Sequence, residues 1–418
     1  MLELLRRFPR ILSFCSLTLL FAGFGQTYVL AYFIPHVGAQ LGLSATEVGG
    51  FFAVATILGA LSFPFIGILL QQLEWVKYTM LATVLFATGF YLLVVNKFLS
   101  VLVICFFLIR IAGQGFFNFL GRDTANREFG AARGRALSLT SLGNLPAEMF
   151  FPWITVRTVE VFGWKWAAAE IGMILIGLYL PIAITLLRQA EVRELPLLRR
   201  TFSGSGAPGV GGRTLWKKRA SGPGVFRDLA LYPLLFCNAV QPFVLTGLFY
   251  YQPQMAKEKG WTLSWIAGSF AAFAVARAAS TTVVGYLVDR WSAKKLYPGY
   301  VIPLSLSLVV LLMTNSLWSA PVFLAFAGVA VGASGTIILS LWAERYGLRE
   351  LARAHGTGTA VSVIATALAP PIVGWWIDHG LGIHTILTTC LVFTLAGGVA
   401  GGIGVRMRLP RGFRSISS

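Results

Sequence analysis

Residues 199–224 read RRTFSGSGAPGVGGRTLWKKRASGPG, a basic, glycine-rich stretch in a chain that is otherwise apolar. This composition is typical of a flexible linker, and the basic region around it extends over residues 188–227. Six long apolar stretches precede it and six follow it. The segment therefore predicts two halves, residues 1–187 and 228–418, joined by a linker.

The apolar stretches have the length and composition of membrane-spanning helices. The 418 residues are 56% hydrophobic and 12% charged, whereas a soluble domain is about 25% charged. A membrane-spanning helix needs about 20 apolar residues. The predicted spans are 11–34, 47–70, 78–96, 98–120, 136–157, 166–187, 229–252, 262–288, 296–314, 320–343, 356–377 and 384–405. We expect an all-α membrane protein with twelve transmembrane helices in two pseudo-symmetric six-helix bundles, and we exclude a soluble globule and a disordered chain.

The net charge of +18 reports orientation rather than a nucleic-acid partner. With the N-terminus placed in the cytoplasm, most Lys and Arg residues fall in cytoplasmic segments. The exceptions outside are Lys97, Arg157, Lys165, Lys257 and Lys259. This asymmetry follows the positive-inside rule. It predicts a multi-pass protein of the plasma or inner membrane, with both termini and the linker in the cytoplasm.

The two halves resemble each other. When Gly67 is aligned with Gly285, Phe52 meets Phe270, and each glycine lies near the cytoplasmic end of the second helix of its half. Repeated halves suit a carrier, because a site between two similar bundles can be exposed to each side in turn.

The segment 285–295, GYLVDRWSAKK, resembles the G-x-x-x-D-R-x-G-R-K/R loop of the major facilitator superfamily. The match comprises Gly285, Asp289, Arg290 and Lys294, while Ser292 and Ala293 replace the usual Gly and Arg. In the first half, Gly67 matches the same loop, with Gln71 and Gln72 in place of Asp and Arg. Three further segments also resemble superfamily motifs: the RGRA at 133–136, Arg110 with Gln114-Gly115, and Pro370 with Gly374 and Asp378. The resemblance implies secondary transport by alternating access, with Gly285, Asp289 and Arg290 at a conformational gate.

A charge inside a span costs about 2.5–3.5 kcal/mol, so Arg110, Glu148 and Arg277 are candidate functional residues. Arg110, Gln114 and Asn118 are spaced four residues apart and share one helix face. This stripe predicts substrate binding at an aqueous cavity. The alternative is a tie between helices. Glu148 is a candidate proton carrier, and the alternative for it is a static buried ion pair.

Arg277 lies in the predicted eighth helix. Superfamily carriers of monocarboxylates and oxalate have an arginine in this helix that holds the substrate carboxylate, four residues before the motif glycine. Arg277 lies one helical turn earlier, eight residues before Gly285, and Thr281 occupies the position four residues before that glycine. The resemblance implies substrate binding by Arg277, with a structural tie as the alternative. Asn238 and Gln241 of the seventh helix and Gln26 of the first complete the predicted binding residues. Equally, such amides can join helices to one another.

No motif predicts an enzyme, a metal site or a cofactor. The four histidines and the four cysteines lack metal-ligand spacing. The resemblance of residues 207–214 to a phosphate-binding loop lacks the preceding strand that such loops need. We therefore expect a monomeric secondary transporter, a symporter or antiporter, that moves a small organic anion such as a carboxylate with possible proton coupling. The alternative is a proton-coupled exporter of hydrophobic or cationic compounds.

Overall fold

The computed structural model of the chain describes residues 2–202 and 225–408, and within those ranges all regular structure is helical. The chain forms two compact units. The first comprises Met1–Leu43 and Phe51–Gly212, and the second comprises Ser44–Gly50 and Arg213–Ser418.

The helices of the N-terminal half are often interrupted, and they belong to the first unit except at residues 44–50. The α-helices from the N-terminus to the middle of the chain are α1 Leu2–Arg7, α2 Pro9–Phe21, α3 Thr27–Leu30, α4 Ile34–Leu41, α5 Ala45–Gln72, α6 Trp75–Val95, α7 Leu99–Arg110, α8 Asn118–Glu128, α9 Arg133–Ser141, α10 Asn144–Phe162, α11 Trp164–Ile174, α12 Leu180–Arg193 and α13 Leu195–Phe202. A π-helical turn, Ile111–Phe117, joins α7 to α8, and another, Leu175–Tyr179, joins α11 to α12. Each of these pairs is therefore one continuous helix with a local change of register.

The second unit has longer helices. They are α14 Leu231–Tyr250, α15 Gln252–Lys259, α16 Leu263–Trp291, α17 Ala293–Leu296, α18 Ile302–Met313, α19 Ser319–Asp378 and α20 Ile383–Arg406. The backbone of α19 is not helical at Gly347, where φ is 69° and ψ is 173°. A positive φ favours glycine, and Gly347 separates α19 into two membrane-length arms, Ser319–Gly347 and Glu350–Asp378.

Ten helices of the described residues are long and apolar enough to span a membrane, and Pro9–Gly25 is a shorter apolar helix. The first predicted span is short because its helix is interrupted after Gly25. The fifth, Asn144–Phe162, carries Glu148, Arg157 and Glu160 and is therefore less apolar. These two helices complete the set of twelve that the sequence predicts.

Part of the predicted linker is helical. The helix α12 continues to Arg193, and α13 follows it to Phe202. Leu195 and Leu198 are buried, so packing overrides the basic composition of residues 188–202. The glycine-rich residues 203–224 lie outside the described residues.

Buried carboxylates fix helix ends in both units. In the first unit, Glu194 accepts hydrogen bonds from the backbone N–H groups of Arg10 and Ile11, both at 3.0 Å. In the second, Asp228 accepts from Arg345 Nε at 2.7 Å and Nη2 at 3.2 Å, and from the Tyr346 hydroxyl at 2.9 Å. The side chains of Asp228 and Arg345 are 2% and 6% exposed. This bidentate ion pair connects the segment before α14 to the first arm of α19.

The variant Asp228→Ala should lower the free energy of unfolding by about 3–5 kcal/mol, because it leaves the Arg345 guanidinium buried without its counter-ion. The matched control is Lys77→Ala, which removes an exposed partner of Glu74 and should cost about 0–1 kcal/mol. Thermal melts of the two purified variants in detergent measure the difference. Equal melting midpoints for both variants and the unmodified protein would contradict the structural role of the pair.

Candidate functional site

The first transmembrane helix is broken in its middle. After α2, residues Ala22–Gly25 form a 3₁₀ turn, and Gln26 is extended with φ −85° and ψ 153° before α3 begins. Gly25 approaches Gly113 so closely that a Cβ built on it would lie 2.9 Å from the Gly113 Cα. The two glycines therefore allow the backbone break to pack against the fourth transmembrane helix.

The fourth transmembrane helix contains the π-helical turn at this contact. The turn Ile111–Phe117 begins immediately after Arg110, and the Asn118 side-chain amide donates to the Gly113 carbonyl at 2.9 Å. Single π-helical turns within α-helices are frequent at functional sites. The side chain of the predicted substrate residue Asn118 thus bonds to the backbone of its own helix at this turn.

Arg110 lies between these two irregular segments and is only 2% exposed. Its Nη1 donates to the Thr27 hydroxyl at 3.4 Å, and its guanidinium carbon lies 4.9 Å from the centre of the Phe52 ring. Its Nε–H has no hydrogen-bond partner within the described part of the chain. The guanidinium thus contacts a hydroxyl group and an aromatic ring, which are both neutral, and it keeps one donor available.

Two other predicted residues join this group. Gln114 Nε2 donates to Gln26 Oε1 at 3.2 Å, so the break in the first helix and the π-helical turn are linked by an amide pair as well as by Arg110 and Thr27. The structure thus brings together Arg110, Gln114 and Gln26. Thr27 and Phe52 complete the arrangement. The sequence carries little signal for either residue, since threonine and phenylalanine are common in apolar spans.

Glu148 lies in α10, on a segment that packs against the same break. It is 5% exposed. Its neighbour Ala147 would meet a Cβ on Gly23, and Phe151 stacks on Phe24 with ring centres 3.9 Å apart. A titratable carboxyl group therefore lies in the helix that covers the interrupted part of the first one.

In the second unit, Asn238 and Gln241 line a cavity of about 240 Å³. Both side chains are largely buried, at 3% and 6% exposure. The walls are formed by α14 and the two arms of α19, and the lining is neutral apart from the titratable ring of His355. The sequence identified Asn238 and Gln241 but not Trp342, whose indole completes the wall.

Arg277 lies on α16, which packs closely against the first arm of α19. A Cβ on Gly328 would lie 3.1 Å from the backbone nitrogen of Arg277. The Ser280 hydroxyl donates to the Val329 carbonyl at 2.8 Å. Thr281, the residue at the expected place of the arginine, donates to the Arg277 carbonyl at 2.9 Å. Arg277 itself is half-buried and lies outside the lining of the Asn238 cavity.

The family model of the Major Facilitator Superfamily matches residues 15–276 and 234–413. The chain belongs to this superfamily. It is therefore a multi-pass membrane transporter, and its fold is the twelve-helix, two-bundle fold of the superfamily.

Solved structures give the same fold. Two are crystal structures of a bacterial homolog of the human lysosomal transporter Spinster, in inward-facing unoccupied and inward-facing occupied conformations. The unoccupied form has a TM-score of 0.66 and 15% identity, covering 95% of this chain and 96% of that one. The occupied form has a TM-score of 0.68 and 14% identity, covering 95% and 97%. No curated protein matches the sequence significantly.

The superfamily loop after α16 has an unusual backbone. Ser292 adopts φ 71° and is the single non-glycine residue with a positive φ among those described. It occupies the place of the usual motif glycine. The Glu344 carboxylate accepts from the Ala293 N–H at 2.7 Å and the Lys294 N–H at 3.0 Å. The sequence missed this contact, which holds the serine in a conformation that glycine adopts more readily.

Asp289 of the same motif is exposed, as is Arg290. A Cβ on Gly285 would meet open space. The loop is thus fixed by Glu344. The gate role of Asp289, Arg290 and Gly285 stays a prediction.

Glu344 and Asp289 should therefore behave differently when their charges are removed. Glu344→Gln weakens two charge-assisted hydrogen bonds and should lower the thermal midpoint of the purified protein, by a free energy of about 1.5–3 kcal/mol. Asp289→Asn should leave the midpoint unchanged but slow turnover more than substrate binding, because a gate contact sets the balance of conformations. Melts and transport assays of both variants make the comparison. Unchanged turnover in Asp289→Asn would remove this residue from the mechanism.

Proposed function

We propose that this transporter moves a small organic anion, such as a carboxylate, by alternating access, and that Arg110 binds the negative charge. The observation that carries the proposal is the environment of the Arg110 guanidinium. It is buried, its contacts are the Thr27 hydroxyl and the Phe52 ring, and its Nε–H has no partner among the described residues.

The energetics favour an anionic partner. Burying an ion costs several kcal/mol unless it is paired and hydrogen-bonded. A cation over an aromatic face recovers about 2 kcal/mol when it is desolvated, and one long hydrogen bond to a hydroxyl adds little. A carboxylate would engage the planar fork of the guanidinium with two parallel hydrogen bonds. A cationic substrate would be repelled by the same group.

The irregular backbone around Arg110 supports a moving site. Discontinuous helices line the substrate sites of many transporters, because unwound backbone is tolerated in a membrane where it faces protein or a cavity. Here the break after Gly25 and the π-helical turn after Arg110 meet at Gly25 and Gly113. A small shift at either element changes the contacts of Gln26 and Thr27 with Gln114 and Arg110.

Glu148 and Arg277 have supporting roles in this proposal. Glu148 carries a proton, since a buried carboxyl group on the helix that covers the break can be neutralised or charged as the environment changes. Arg277, on α16 of the second unit, is a second candidate residue for binding an anionic group. Coupling to protons by symport or antiport follows from the first role.

Topology and location belong to the same proposal. The distribution of Lys and Arg along the chain supports cytoplasmic termini and a cytoplasmic linker. The protein acts in the plasma or inner membrane as a monomer. Its partners are the small solute, protons and the lipid bilayer.

Replacing Arg110 tests the anion site. Arg110→Lys keeps the charge but loses the fork, so it should weaken binding of a stabilising carboxylate. Arg110→Gln should weaken it by about tenfold to a hundredfold, which corresponds to one charge-assisted hydrogen bond of about 1.5–3 kcal/mol. Arg277→Gln should give a loss in the same direction. A thermal-shift screen of carboxylates against the purified protein identifies the ligand, because binding raises apparent stability.

The matched control is Arg157→Gln, which removes an exposed arginine that pairs with Glu160 and should leave affinity unchanged. If Arg110→Gln folds normally and binds the carboxylate as tightly as the unmodified protein, Arg110 is not the anion site. Stabilisation by hydrophobic cations and by no carboxylate would instead favour the proton-coupled exporter.

A further inference from the structure

One face of α5 runs along the side chain of Arg110. The guanidinium carbon of Arg110 lies 4.9 Å from the centre of the Phe52 ring, and a Cβ built on Gly59 would lie 4.0 Å from the Arg110 Cβ. Phe52 is therefore beside the end of the arginine side chain, and Gly59 is beside its base. Thr56 lies between them on the same helix face, since residues three and four apart are neighbours on an α-helix. This spacing places Thr56 beside the part of the arginine that leads to Nε.

Thr56 and Arg110 each carry a buried polar atom without a hydrogen-bond partner. Thr56 is 5% exposed, and within residues 2–202 and 225–408 neither its hydroxyl nor the Arg110 Nε–H makes a hydrogen bond. A hydroxyl in a helix often donates to the carbonyl four residues earlier, as the Ser62 hydroxyl of α5 does to the Leu58 carbonyl at 2.8 Å. Thr56 makes no such bond, so its hydroxyl oxygen is available to accept from a donor beside it.

The Thr56 hydroxyl has no evident value for the fold itself. A buried polar group without a partner loses its hydrogen bonds to water and gains none in return. Valine has nearly the same shape and would avoid this cost in an apolar helix. A hydroxyl group at this position therefore indicates a state of the protein in which it does pair, and the neighbouring unpaired donor is the Arg110 Nε–H.

The approach of an anion to Arg110 would create that state. Nε is shielded from solvent by the protein, so an anion meets the guanidinium at its two Nη groups. Nη1 donates to the Thr27 hydroxyl over 3.4 Å, a long hydrogen bond that a carboxylate can replace with a shorter, charge-assisted one. A carboxylate held by both Nη groups leaves Nε without an acceptor. The Thr56 hydroxyl is placed to provide one.

We propose that Thr56 positions Arg110 for the anion: its hydroxyl accepts from the Arg110 Nε–H when the two Nη groups bind a carboxylate. This inference rests on the function proposed above, because it concerns the same guanidinium. Thr56 does not contact the anion itself. Its hydrogen bond fixes the rotation of the planar fork, and bidentate binding of a planar carboxylate depends on that rotation.

The test compares Thr56→Val with the unmodified full-length protein in detergent, by calorimetric titration with acetate, lactate, oxalate and succinate as probes. Valine keeps the shape of the side chain and removes the hydroxyl. We expect about tenfold weaker binding of the carboxylate that the unmodified protein binds, the value of one hydrogen bond to a charged group. The thermal midpoint without ligand should equal or exceed that of the unmodified protein, because an unpaired buried hydroxyl has been removed. Damage to the fold would lower both quantities.

Three further variants complete the design. Thr56→Ser restores the hydroxyl and should recover most of the affinity. The matched control is Thr124→Val on α8. Thr124 is 1% exposed and its hydroxyl also lacks a partner among the described residues, but the π-helical turn separates it from Arg110, so affinity should not change. In the Arg110→Gln protein, adding Thr56→Val should cause no further loss, because Thr56 acts through the arginine.

The outcomes separate this inference from the proposal on which it rests. If no probe binds, or if Arg110→Gln binds the probe as tightly as the unmodified protein, the anion site at Arg110 is wrong and the role of Thr56 is lost with it. If binding depends on Arg110 but Thr56→Val keeps full affinity, the positioning role alone is wrong. A loss of affinity in Thr56→Val that Thr56→Ser does not reverse would also overturn it.

Discussion

A positive charge within a membrane-spanning helix must be surrounded by groups that the protein itself provides. At Arg110 these groups exist because two neighbouring helices are irregular. The break after Gly25 places Gln26 and Thr27 beside the fourth helix, and the π-helical turn places Gln114 opposite Gln26. Neither irregularity could face lipid, since unpaired backbone groups are too costly there. The buried charge, the broken helix and the close glycine contact between Gly25 and Gly113 therefore depend on one another.

Carboxylates serve a different purpose in this strongly basic chain. Several of its 16 acidic residues accept backbone N–H groups at helix starts distant in sequence. Glu194 does so at α2, and Glu344 at α17. Within the second unit, Asp378 accepts from Ala45 and Thr46 at 3.0 and 2.8 Å. Negative charge at a helix N-terminus is stabilising. The few acidic residues of the chain therefore hold the starts of helices against segments that are distant in sequence.

The sequence predicted the architecture well because membrane spans depend on length and apolarity alone. It also singled out Arg110 and Gln114, which the structure places beside Thr27 and Gln26, and their role in substrate binding stays a prediction. It could not predict the break after Gly25 or the turn at Ile111–Phe117, which result from packing between distant glycines. Trp342 and Glu344 were missed because a tryptophan in an apolar span and an acid near its end carry no distinctive pattern. Within the predicted linker, the sequence did not reveal the helix α13, in which Leu195 and Leu198 are buried.

The proposed transport of an anion by alternating access requires no source of energy other than solute gradients. Counterflow in proteoliposomes tests it most directly. Vesicles are loaded with the unlabelled carboxylate identified by binding and are diluted into a trace of the labelled compound, without nucleotide and without a membrane potential. A carrier of this type predicts transient accumulation of label inside, because empty and loaded sites exchange across the membrane. Simple equilibration of the label at the rate of protein-free vesicles would contradict the account.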